Sequence, residues 1–178
     1  WEQQMRTYGA QHCQTLQGGS ANFDTKLLWT YYDAEWVYYQ IGDYTGDSSW
    51  YSCARAAEAV YRDQYTLPNN GAVPGYWNFT HGLLEDFLRT GDSASRDALI
   101  KLSQNAAFAP DSTPLSSTQS VDLSREVAYT IMAYLNAEQV GQPRRARLAA
   151  LRDQALNHMN QWFVTGNVPY VRPFMAAL

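Results

Sequence analysis

Apolar residues recur along this chain at spacings of three and four, the period of one face of a helix. ALIKLSQNAAF (98–108) places Ala98, Leu99, Leu102, Ala106 and Ala107 near one side. RRARLAALRDQALNHMNQWF (144–163) does the same with Leu148, Leu151, Ala155, Leu156, Met159 and Phe163. No segment holds a sustained alternation, so strands are expected to be minor or absent. Proline and glycine clusters divide the helical stretches: QGGS (17–20), TLPNNGAVPG (66–75), APDSTPLSS (109–117) and TGNVP (165–169) read as loops. The pattern predicts helices at 2–16, 23–43, 48–65, 77–89, 93–107, 121–139, 143–163 and from 171 onward. The expected class is all-α.

One tripeptide is written twice. Thr45-Gly46-Asp47 and Thr90-Gly91-Asp92 stand 45 positions apart, and Val140-Gly141-Gln142 follows 50 later as a degenerate copy. Glycine can adopt the left-handed conformation that ends a helix. Aspartate behind it can accept hydrogen bonds from the unsatisfied N–H groups of the next helix and favours its dipole. Pro143 suits a helical first turn. Each copy therefore reads as a tight turn between two antiparallel helices. The unit is a helical hairpin of about 45–50 residues, repeated, which implies a solenoid or a closed ring of hairpins.

Composition narrows the function classes. At 178 residues the chain fits a single domain, 1–178. Its 46% hydrophobic and 17% charged residues mark a globular chain. A net charge of -4 and a pI near 5.3 argue against nucleic acid, which requires a basic face. The basic run PRRARLAALR (143–152) is expected to form a solvated face. The apolar runs are too short for a membrane span. Aromatics are abundant at 14%, with 13 Tyr and 6 Trp. Such rings either fill space between helices or stack on sugars at a wet surface. Cys13 and Cys53 belong to no zinc-like motif, so they form either one disulfide of an exported protein or two buried thiols. GxSxG, P-loop and Rossmann motifs are missing, and no cofactor or metal is implied. Asn78-Phe79-Thr80 has the form of a glycosylation sequon, although Asn78 reads first as a rim residue or a cap.

HGLLEDFLRTGD (81–92), SREVAYTIMAYLNAEQVG (124–141) and YYDAEWVYYQIGDYTGD (31–47) together resemble hairpins of the (α/α) toroid superfamily, the six-hairpin glycosidases and related polysaccharide lyases. RPFMAAL (172–178) is similar to the start of another inner helix. A full toroid needs six hairpins and this chain offers about three and a half. The expectation is a partial or open toroid, a fragment of a longer protein. Missing hairpins, a partner or a second copy would then cover its open end.

The resemblance implies a glycan cleft around the mouths of the inner helices. Counting back 14–17 residues from each turn reaches 30–33, 75–78 and 125–128. The implied rim contains Tyr31, Tyr32, Asp33, Tyr76, Trp77, Asn78, Arg125 and Glu126, with Tyr170 and Arg172 from the next element. Rings would stack on an oligo- or polysaccharide, while amide, carboxylate and guanidinium groups would bind its hydroxyls. Asp33 and Glu126 are the candidate acid and base, since glycoside hydrolysis needs two carboxyl groups ~5–10 Å apart. Their plain alternative is a charge at a helix start and a pair with a neighbouring arginine. His81 is a candidate base for a lyase, with Arg125 or Arg172 neutralising a uronate. The implied function is that of a glycoside hydrolase or polysaccharide lyase, secreted or periplasmic. The alternative is a non-catalytic helical-repeat module that binds protein or glycan.

Overall fold

The computed structural model describes residues 1–166. Tyr170, Arg172 and the helix expected from 171 onward lie outside the described residues. Among the described residues all regular structure is helical. The helices are α1 (Glu2–Gln17), α2 (Phe23–Leu28), α3 (Ala34–Thr45), α4 (Trp50–Glu58), α5 (His81–Thr90), α6 (Ser93–Asn105), α7 (Ser124–Gln139) and α8 (Arg147–Asn160). Both α4 and α8 continue as wider π-type turns, Ala59–Thr66 and Gln161–Thr165. Two compact units divide the chain: Trp1–Asn69 with Phe79–Ala98, and Asn70–Asn78 with the chain from Leu99 onward.

In the first unit, α3 and α4 form an antiparallel hairpin. The Tyr51 hydroxyl donates to Asp43 at 2.7 Å near the turn, and Glu35 meets Glu58 at the far end. Tyr38, Tyr39, Ile41, Trp50, Cys53, Ala54 and Ala57 bury the shared face. A disulfide joins Cys13 on α1 to Cys53 on α4, with Cα atoms 5.1 Å apart. Of the two readings open for these cysteines, the structure takes the bridge.

Both TGD copies adopt one geometry. Gly46 and Gly91 have φ of 67° and 75°, in the left-handed region. Thr45 and Thr90 each donate a hydroxyl bond back into their own helix, to Ile41 and Asp86. The same hydroxyls accept from the N–H of Asp47 and Asp92. Asp47 and Asp92 then accept from the N–H of Ser49 and Ala94, at 2.9 and 2.8 Å. The motif thus closes one helix and leads into the next: Asp92 directly precedes α6, while Asp47 holds the turn before α4, whose N-cap residue is Ser49. The third copy keeps the left-handed glycine, Gly141 at φ 90°, but α8 starts only at Arg147, so Pro143 stands before the helix.

The expected helix over 23–43 is broken. α2 ends at Leu28, and Tyr32 and Asp33 take φ of 63° and 61° before α3 begins. Left-handed backbone at a residue with a Cβ costs ~1–2 kcal/mol. Tertiary hydrogen bonds made by Asp33, described below, offset it.

In the second unit, α7 and α8 form another antiparallel hairpin. Arg144 pairs with Glu138 near the turn, while the Trp162 indole N–H donates to Ser124 at the far end. Leu99, Leu102, Ala106, Val127, Ala133, Tyr134 and Leu151 are fully buried. The apolar stripe foreseen on 98–108 therefore faces the core. On α8 the buried stripe is Arg147, Leu151 and His158, continued by Trp162. Leu156, Met159 and Phe163 are exposed, against the expectation. The face that packs carries two polar residues, Arg147 and His158, which bond to the backbone of Thr113 and Gln119. Nor is the basic run wholly solvated: Arg147 is buried and donates to the Thr113 carbonyl.

Candidate functional site

Rim residues foreseen in the first unit come together. The rings of Tyr31 and Tyr32 meet edge-on at 4.5 Å, and Tyr31 meets Phe79 at 5.5 Å. His81 opens α5 and lies edge-on to Trp36 at 4.9 Å. Asp33 reaches the start of the same helix. It accepts the backbone N–H of His81 at 3.0 Å and that of Gly82 at 3.2 and 3.1 Å. Its carboxylate therefore binds the positive end of the α5 dipole. Loss of surrounding water raises the Asp33 pKa, against the lowering effect of the Gly82 N–H and nearby His81.

Beside this rim, α1, the α2–α3 turn and α3 enclose an open cleft of about 560 Å³. Its walls are largely aromatic. Trp29, Tyr32 and Tyr8 are 40%, 53% and 57% exposed along the cleft. Trp29 stacks on His12 with ring centroids 3.9 Å apart, and desolvation lowers the His12 pKa. None of the described residues lining the cleft is Asp, Glu, Lys or Arg. Such a wall suits a ligand with apolar faces and uncharged polar edges.

Rim residues foreseen in the second unit also assemble. Tyr76 and Trp77 lie in one helical turn, Gly75–Trp77, and Asn78 follows it. Gly75 packs against α7 so closely that a Cβ there would come 3.0 Å from Glu126 Cγ. The Arg125 guanidinium lies 5.7 Å from the Tyr76 ring centroid and pairs with Glu126 at 2.8 Å. Glu126 Oε2 has no hydrogen-bond partner, nor has either polar atom of the Asn78 side chain. Tyr76 is exposed, whereas Trp77 and Asn78 are buried. At 2% exposure Asn78 cannot be reached for glycosylation in the folded chain. Asp33 and Glu126 belong to different units.

A third cluster has no counterpart in the sequence reading. Glu35 on α3, Glu58 on α4 and Asp86 on α5 are all buried, and one oxygen of each lies within 4.8 Å of the others. Arg62 pairs with Glu58 and lies 3.9 Å from Asp86. The Ser95 hydroxyl contacts Glu58 at 2.9 Å and Asp86 at 2.7 Å. The Tyr39 hydroxyl donates to the other Asp86 oxygen at 2.8 Å. Carboxylates scattered over 52 positions, 35 to 86, offer no spacing motif. The available signal is weaker: each charge interrupts the buried face of its own helix.

The chain matches no protein-family profile, no curated protein and no solved structure.

Proposed function

We propose that this chain is part of a carbohydrate-active (α/α) toroid protein that holds a glycan against the aromatic cleft of its first unit. The observation carrying this reading is the cleft itself, an uncharged wall with Trp29, Tyr8 and Tyr32 exposed along it. Tyr and Trp present an apolar face and a polar edge, as a sugar ring does. Two antiparallel hairpins and the repeated TGD turn support the toroid. Between the two activities considered, the wall favours a glycoside hydrolase over a polysaccharide lyase. A uronate carboxylate held there would be desolvated without a cation to compensate it. In the catalytic reading Asp33, in the unit that holds the cleft, is one proposed catalytic carboxylate with His81 beside it, and Glu126, in the second unit, is the other candidate. The Cys13–Cys53 bridge supports a secreted or periplasmic location, where disulfides persist.

A specific observation also favours the non-catalytic alternative. Both Asp33 oxygens already accept backbone N–H groups, which suits a cap more than a proton carrier. A titration calorimetry panel of neutral and uronic-acid oligosaccharides, followed by product analysis, separates these readings. Binding with bond cleavage that is lost in Asp33→Asn and Glu126→Gln supports the hydrolase. Binding without cleavage supports the module. Failure of every sugar to bind removes the glycan reading altogether.

A further inference from the structure

We propose that Glu35, Glu58 and Asp86 form a calcium site inside the first unit. Glu35 is 2% exposed, and neither of its carboxylate oxygens has a hydrogen-bond partner. An ionised carboxylate in that position is strongly unfavourable unless something positive approaches it. The group is aimed at two more carboxylates, with ligand oxygens of all three within 4.8 Å of one another.

With all three carboxylates ionised, charge does not balance without an added cation. Arg62 is the guanidinium in the cluster, and it is shared among Glu58, Asp86, Asp63 and Asp92. Three buried carboxylates against this one shared charge leave an excess of about two negative charges, the charge of one divalent ion. A proton on Glu35 would remove one charge and occupy one oxygen, whereas a hard cation engages both.

The donor set is oxygen alone, from carboxylates with the Ser95 and Tyr39 hydroxyls beside them, which selects a hard ion over zinc or copper. Oxygens lying within 4.8 Å of one another fit the flexible coordination of calcium, and magnesium is the control in the test below.

Two measurements on the whole chain test this. Terbium, which replaces calcium, should show tyrosine- and tryptophan-sensitised luminescence that calcium chloride displaces and magnesium chloride does not. Calcium at a hundredfold excess over its Kd should raise Tm by roughly 5–10 °C relative to EDTA. Glu35→Gln should abolish both signals, and Glu58→Gln serves as the second variant if the first does not fold. Absence of luminescence and of a calcium-specific Tm rise overturns the site and leaves Glu35 as a buried neutral acid. Signals that persist undiminished in the variants also overturn it, because the ion then binds elsewhere.

Discussion

Asp33 accepts the Gly82 backbone N–H with both carboxylate oxygens, at 3.2 and 3.1 Å, across 49 positions of chain. The contact ties the left-handed turn before α3 to the first turn of α5. Glycine at 82 permits it, since a Cβ there would come 2.5 Å from Asp33 Oδ1 and 2.7 Å from Glu35 Cβ.

Asp33→Asn turns an amide NH₂ toward backbone N–H groups that need an acceptor, and removes the charge that suits the helix dipole. We expect a loss of ~1–2 kcal/mol in chemical denaturation. Gly82→Ala should cost more, because the steric conflict adds to the lost bonds. Equal stability of Asp33→Asn and the parent chain would contradict the capping role.

Trp29→Ala and Tyr32→Ala should each weaken binding of a neutral oligosaccharide by about tenfold, from ~1.4 kcal/mol of lost ring contact. Tyr76→Ala, in the second unit, should leave affinity for this cleft unchanged. Titration calorimetry against one bound sugar checks all three. Equal losses at all three positions would argue against a glycan confined to the first unit.

Opening the Cys13–Cys53 bridge frees a 40-residue separation in the unfolded chain. Chain entropy for a loop of this size predicts a loss of ~4 kcal/mol. The Cys13→Ser/Cys53→Ser double variant should therefore melt roughly 8–16 °C lower than the oxidised chain. Scanning calorimetry with and without reductant gives the comparison on the unmodified protein.

His158 is 1% exposed and donates from Nε2 to the Gln119 carbonyl at 3.1 Å. Burial lowers its pKa, although the Gln119 and Thr118 backbone bonds oppose the shift. In the unfolded chain the group takes up a proton near pH ~6.5. Below that pH the unfolded state binds a proton that the folded state refuses, so stability falls as pH falls. The decline reaches up to ~1.4 kcal/mol per pH unit and ends once pH passes below the depressed folded pKa. His158→Gln, which keeps an N–H donor, should flatten the Tm profile between pH 7 and 5. His12, also shifted down by burial, retains part of the slope.

Local order was the legible part. The left-handed glycine and the aspartate behind it could be read in the TGD turns because they lie side by side, whereas the threonine hydroxyl bonds were seen only in the structure. The burial of Ala98, Leu99, Leu102 and Ala106 followed from helical periodicity. The face of α8 did not, because its buried side carries Arg147 and His158, whose partners Thr113 and Gln119 lie 34 and 39 positions away. The break at Tyr32 and Asp33 was hidden for a related reason: the bonds that offset its strain come from His81 and Gly82. Counting back from the turns gathered Tyr31, Tyr32 and Asp33 in one unit, and Tyr76, Asn78, Arg125 and Glu126 in the other. It could not show that Asp33 would cap α5, nor that Asn78 would be buried.

By itself the sequence determined the helical class and the two TGD turns. These rest on interactions between near neighbours, whose chemistry is written in adjacent letters. Tertiary structure alone decided that Cys13 meets Cys53, that an uncharged aromatic cleft forms beside Tyr32, and that Glu35, Glu58 and Asp86 converge. Those outcomes depend on which helices pack together and at what rotation. Such choices are made by the summed burial of whole faces, and no short stretch of sequence encodes them.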